Sequence, residues 1–295
     1  MRPRLEQLED RTLPSSYTAA TVSDLIADIN AANQAGGTNT ITLAKKATFT
    51  LTEVNNTTDG PTGLPAITAG DNLSIVGNGD TIQRSTASGT PSFRLFDVAS
   101  GASLLLQNLT MQNGSATSGL GVSIFGGAIY SNGSLGLSGV TVTGNVAGAG
   151  GGVYIAGGPA SLSQDTFTYN TAYGAGGGAN LSGGAIYVAG GTLNSRGDTF
   201  ENNGLNSSGF GGAVCVAGGS VTLTNDLVQH NHGDAAIFIT NAGVVFCRDT
   251  VKGNVGGGIE SYIGAAAYMD QFTFDHTVAN YFFNILGLYS ISAVC

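Results

Sequence analysis

From about residue 104 onward, apolar and polar positions recur as short period-two segments interrupted by glycine, and the same two patterns keep returning. The first is Gly-Gly-small-β-branched-aromatic: GGAIY at 126–130, GGGVY at 150–154, GGAIY at 183–187 and GGAVC at 211–215, then the weaker DAAIF at 234–238 and GGGIE at 256–260. The second is an apolar anchor with Asn three residues later: Val142/Asn145, Phe167/Asn170, Phe200/Asn203, Val228/Asn231 and Val251/Asn254. Met111 and Phe274 fill the anchor position in flanking copies that lack the Asn. The anchors stand 31, 25, 33, 28, 23 and 23 residues apart, so the period varies only by loop insertions. A repeat of this length, built from short alternating segments and glycine turns without a helical stretch, predicts an all-β fold, one coil of a parallel solenoid per repeat.

Stacked coils place equivalent residues about 4.8 Å apart. Ile129, Val153, Ile186, Val214, Ile237 and Ile259 form a β-branched column, and Leu137, Leu162, Ser195, Leu223, Phe246 and Met269 form a second. Both are expected inside. Asn145, Asn170, Asn203, Asn231 and Asn254 are expected at a sharp corner, where Asn tolerates the left-handed conformation and stacked amides bond rung to rung.

Ahead of the repeat, residues 23–33 carry Leu25, Ile26, Ile29 and Ala32 at helical spacing, with Ser23 as N-cap and Gly36-Gly37 as stop signal. A short capping helix follows, then alternating strands at 40–43 and 48–52. The chain divides into a 1–16 segment, a repeat body over 17–277, and a tail over 278–295. The tail has no charged residue. Asn280, Asn284 and its borderline length disfavour a membrane span, so a last coil or cap is expected.

Composition sharpens this picture. Gly is 47 of 295 residues and charged residues are 10%, against averages near 7% and a quarter. Net charge −9 leaves too few cations for nucleic acid. Cys215, Cys247 and Cys295 are an odd count without a CxxC pair, which points to neither a disulfide framework nor a zinc ribbon.

The paired GGA[ILV] and FxxN motifs resemble those of β-helix surface proteins of the polymorphic outer membrane protein type, and residues 25–33 with the following strand resemble the helix-strand opening that caps many of them. The resemblance implies a single-stranded right-handed parallel β-helix, exported to a bacterial surface or the extracellular space. Arg4-Leu5-Glu6 and Leu8 to Leu13 also resemble the LEPR-XLL segment at the start of large bacterial surface proteins, which again implies export; Pro14 departs from that pattern.

Two columns carry candidate chemistry. Tyr130, Tyr154, Tyr187 and Phe238, in register with Cys215 and Glu260, should face outward, either as a platform for glycan or protein or as a stack covered by loops. Asp165, Asp198, Asp226 and Asp249 put a carboxylate two residues before the anchor on four consecutive coils. Like charges at that spacing repel by roughly 0.9 kcal/mol even in water, so the column should splay into solvent at a corner, share protons or bind a cation such as calcium. His230 and His232 form an HxH pair without a third ligand at recognisable spacing, and Gly77-Asn78-Gly79-Asp80 faintly resembles a calcium-binding nonapeptide. The Asn-Thr-Asp, Asp-Asp, Gly-His-Gly and Arg-x-Lys strings of β-helix hydrolases are missing, and lyase chemistry would have to use Arg196, Arg248 or Lys252. No residue is assigned a catalytic role. The expectation is a monomeric, exported structural, adhesive or binding protein whose partner is a polysaccharide or surface protein. A polysaccharide lyase or glycoside hydrolase acting on an acidic glycan is the alternative.

Overall fold

Segments in which Thr, Ser and β-branched residues alternate form strands because one face is buried and the other meets solvent, and here each short strand finds its partner one repeat away. The computed structural model describes residues 14–117, 125–174, 182–206, 209–262, 264–291 and 295. The export-like segment lies outside them up to residue 13. Strands make up 53% of the described residues and helix 8%.

The named strands pair in parallel. Thr141–Thr143 lies between Ser103–Gln112 and Thr166–Thr168, and the series continues through Thr199–Glu201, Leu227–Gln229, Thr250–Lys252 and Thr277–Val278. Pairing of Ile129–Ser131, Val153–Ile155, Ile186–Val188 and Val214–Val216 repeats the pattern in a second sheet. Sheets of 18 and 12 strands result, with one contiguous apolar core between them. Both expected inner columns are in register and buried, including Ser195 among its apolar neighbours.

Helix α1 (Val22–Ala35) buries Leu25, Ile29 and Ala32 against the first strands. Its cap lies two residues before the expected one: Thr21 accepts the Asp24 N–H, and the Asp24 side chain accepts the Thr21 N–H, a reciprocal pair that Ser23 has no counterpart for. Near the other end a second helix, α2 (Gln271–His276), is inserted between strands. It shifts the last repeat. Thr277, not Phe274, faces Val251 in the ladder, so the anchor assigned to Phe274 moves by three residues.

The glycine pairs that open each GGA motif fit a tight crossing of neighbouring coils. Gly150 has φ of 61°, and at Gly151 a Cβ would collide with the carbonyls of Gly184 and Thr171. Gly151→Ala is therefore expected to lower the unfolding free energy by about 3 kcal/mol, at the upper end of overpacking effects because the obstacle is backbone. Urea denaturation compared with the parent chain checks this; an unchanged midpoint would mean the coils can separate at that corner.

Candidate functional site

Two corners recur from coil to coil, both built on a left-handed residue that is followed on most coils by a buried polar side chain. At one corner the left-handed positions are Gly144, Tyr169, Asn202, His230 and Gly253, each one residue before a column Asn. The column Asn is thus not the left-handed residue, contrary to expectation; it follows it and turns its amide into the stack. Asn203 shows the geometry. Its Oδ1 accepts from the Asn170 backbone N–H and Nδ2–H at 3.0 Å each, while its own Nδ2 donates to the Phe167 carbonyl at 2.8 Å and to Asn231 Oδ1 at 3.0 Å. The same bonds link Asn145 to Asn170 and Asn231 to Asn254. The ladder extends one rung further, Asn254 Nδ2 to Asn280 Oδ1 at 2.8 Å. Asn280 escaped the sequence pattern because α2 displaces its anchor, although Thr277 and Asn280 keep the three-residue spacing.

At the other corner Gly139, Gln164, Gly197, Asn225 and Arg248 are left-handed. The next residue is Asp165, Asp198, Asp226 or Asp249 on four of these coils. The carboxylates are buried, which overturns the expected solvated corner. They cap backbone instead: Asp165 Oδ1 accepts from the Val140 N–H at 2.7 Å, Asp198 Oδ1 from Asp165 N–H at 2.6 Å, Asp226 Oδ1 from Asp198 N–H at 2.7 Å, and Asp249 Oδ1 from Asp226 N–H at 2.8 Å. Ser195, the polar member of an inner column, explains itself by donating to Asp198 Oδ2 at 2.5 Å. Asp226 Oδ2 is buried without a donor in hydrogen-bond geometry. Above Asp249, the α2 residue Thr273 takes over, its Oγ1 accepting the Asp249 N–H at 3.0 Å. Two coils below Val140, Asp80 occupies the same column and accepts the Ala47 and Asn78 N–H groups, so the GNGD string belongs to this device.

Amides donate and accept, so each Asn completes its neighbour; carboxylates only accept, so each Asp adds an uncompensated charge. Burial accordingly pushes Asp165 and Asp226 up to about 7 and Asp249 to about 8, with the neighbouring carboxylates adding to it, and raises Asp198 against the pull of Ser195. Backbone N–H groups occupy one oxygen of each of these carboxylates, where calcium would need several free oxygens, and among the described residues no three of His, Cys, Asp and Glu come together to hold a metal. His230 lies exposed, 3.4 Å from Glu201.

The outward aromatic column is in register and stacked. Tyr130, Tyr154 and Tyr187 are half-buried, with ring centroids 5.6 and 5.0 Å apart, and Phe125 lies 4.4 Å over Tyr154. Phe238 is buried beneath Phe210, and Cys215, in register between Tyr187 and Phe238, is buried, its thiol pushed up to about 12. One coil earlier the column continues to Asp97, opposite Tyr130. Asp97 is buried with Arg94, whose Nη1 donates to the Asp59 carbonyl at 2.9 Å and whose guanidinium lies 5.0 Å from the Tyr130 ring. Burial pushes Asp97 up to about 6, with Arg94 pulling back. This cluster was invisible to the repeat pattern because its strand lacks the glycine pair.

Cys247 and Cys295 form a disulfide, 48 residues apart in sequence, which the odd cysteine count concealed. On the side of the stack, a shallow cleft of about 510 Å³ is lined by uncharged groups that include Asn72, Ser103, Asn132, Ser134 and Pro159. No described helix is long and apolar enough to cross a membrane.

Asn203→Ala leaves buried donors and acceptors on three neighbours and is expected to cost about 3 kcal/mol or more of stability, measured by urea unfolding; a loss below about 1 kcal/mol would deny the ladder its role. The Asp column has the opposite sensitivity. The fold holds protons on carboxyls that the unfolded chain releases near pH 4, so stability is fully present below that pH and falls as pH rises through 7 to 8. Unfolding free energy should drop by several kcal/mol between about pH 5 and 8.5, and Asp226→Asn should flatten that slope. A flat profile over that range would show the carboxylates ionised in the folded state. No family model matches the chain, and no curated protein or solved structure matches it.

Proposed function

We propose that this protein is an exported right-handed parallel β-helix of the polymorphic outer membrane protein type, serving at a bacterial surface or in the extracellular matrix as a non-enzymatic structural or adhesive element that holds a polysaccharide or a surface protein along its side. The observation that carries the non-enzymatic reading is the burial of the repeated carboxylates: Asp165, Asp198, Asp226 and Asp249 are engaged in capping backbone N–H groups and are closed to substrate. The Cys247–Cys295 disulfide supports export, because such bonds persist in oxidising compartments and are rare in the cytosol. The cleft beside Asn132 and Ser134 offers hydroxyl and amide groups without charge, a chemistry suited to sugar hydroxyls.

Purified protein is expected to bind isolated envelope polysaccharide, to lose affinity by about tenfold in Asn132→Ala, a surface position whose loss leaves the fold intact, and to release no reducing sugar or unsaturated product. Antibody detection in the producing cell should place it outside the cytosol. Depolymerisation of an acidic glycan that vanishes in Asp198→Asn would establish the lyase or hydrolase instead, and a cytosolic location would end the export reading.

A further inference from the structure

The cleft beside Asn132 and Ser134 runs across coils rather than along one. Asn72, Ser103, Ser134 and Pro159 line it from four consecutive levels of the stack, so at about 4.8 Å per level it is a trough about 14 Å long, parallel to the stack axis. The coils pack too closely there for side chains at two lining positions: a Cβ on Gly158 would collide with the Gly133 carbonyl, and one on Gly133 with the carbonyls of Ala99 and Ala102. Backbone is left bare where a ligand approaches. The polar groups around it are free. The side chains of Asn72, Ser103, Asn132 and Ser134 are exposed or half-buried, and none hydrogen-bonds another described residue. Two residues beyond Ser103, on the same face of its strand, Leu105 is 37% exposed. Opposite it on the next coil stands Gly136, where a Cβ would press into Leu105 Cδ1. The missing side chain lets Leu105 lie across two coils as an apolar step beside the trough.

We propose that this trough holds a neutral, extended polysaccharide along the stack axis, its hydroxyls bonded by Asn72, Ser103, Asn132 and Ser134 and one ring face seated on Leu105. The inference rests on the binding role proposed above and names the class of its ligand. Charge decides the class. The ladder that runs through Ser103–Gln112, Ser134–Ser138, Pro159–Ser163, Thr192–Arg196, Ser220–Thr224, Gly243–Cys247 and Ala266–Met269 carries one charged side chain, Arg196. An acidic glycan needs cations spaced along its length, and here it would meet one Arg on a molecule of net charge −9. A basic polymer would need carboxylates, which these strands lack. An uncharged sugar chain matches what is present, free donors and acceptors for its hydroxyls and an apolar step for the C–H face of a ring. The direction follows from the stack: coils recur at one spacing, so a polymer of like units laid along the axis engages successive coils, and its affinity grows with the number it spans.

The probes are immobilised neutral polysaccharides (β-glucan, xylan and mannan) and acidic ones (polygalacturonate and alginate), with the full chain in solution. At least one neutral polymer is expected to bind about tenfold or more tighter than either acidic one, with little dependence on salt, and its longer oligosaccharides should compete better than its shorter ones. Ser134→Asp and Leu105→Asp should each weaken that binding by about tenfold or more with an unchanged circular dichroism spectrum. Leu105→Ala is the milder variant, should Leu105→Asp fail to fold. Tighter binding to an acidic polymer, or binding indifferent to all three substitutions, overturns this inference and leaves the proposed binding role standing. Binding to intact envelope that protease abolishes, with none to any polysaccharide, would name a surface protein as the ligand instead. Binding to neither envelope nor polysaccharide removes the binding role and this inference with it.

Discussion

In a parallel stack every side chain meets its own column about 4.8 Å above and below, so a residue type survives only if it tolerates itself. This constraint orders the whole molecule. Ile, Val, Leu and Phe tolerate themselves without condition and fill the interior, where Phe167 and Phe200 stack with centroids 5.0 Å apart. Tyr does the same on the outside. Amides are rewarded, because the Oδ1 of one rung accepts what the Nδ2 of the next donates. Carboxylates are penalised, which is why a chain so poor in charge can still be well ordered, and why the Asp column stands on backbone N–H donors and retained protons rather than on each other.

The two polar columns also answer a question of backbone accounting. A coil that turns sharply through a left-handed residue leaves the next N–H pointing away from the strand ladder, and a buried N–H without partner is costly. Asn and Asp supply the acceptor at corresponding places in the two corners, each reaching to the N–H of the coil before. They differ in what remains after that bond. The Asn has a donor left for the carbonyl of the preceding anchor, as from Asn170 to Val142 at 2.8 Å; the Asp has a second oxygen, satisfied at Asp249 by the Cys247 N–H and unsatisfied at Asp226.

Much of this was legible because the repeat is written in residue type. The β-branched column, the outward Tyr column and the Asn ladder follow from spacing alone, and so does the parallel pairing. What escaped had physical reasons. A carboxylate is ordinarily a surface group, so nothing in the spacing of Asp165, Asp198, Asp226 and Asp249 announced burial. Helix α2 breaks the phase of the last repeat, hiding Thr277 and Asn280. The disulfide joins positions that only the stacking of the last coils brings together. Arg94 and Asp97 sit in a coil without glycine markers, where register cannot be extended by eye.

For function, the same constraint separates columns that hold the stack from surfaces that remain available. The Asn and Asp columns belong to the first group, and the uncharged side cleft to the second. The central claim is that the buried polar columns are the continuous support of the stack. Native-state hydrogen exchange tests it most directly. The backbone amides of Asn145, Asn170, Asn203 and Asn231, and of Asp165, Asp198 and Asp226, should exchange only through global unfolding, with one common free energy. Exchange of these amides through small local openings, as fast as that of exposed turns, would contradict the account.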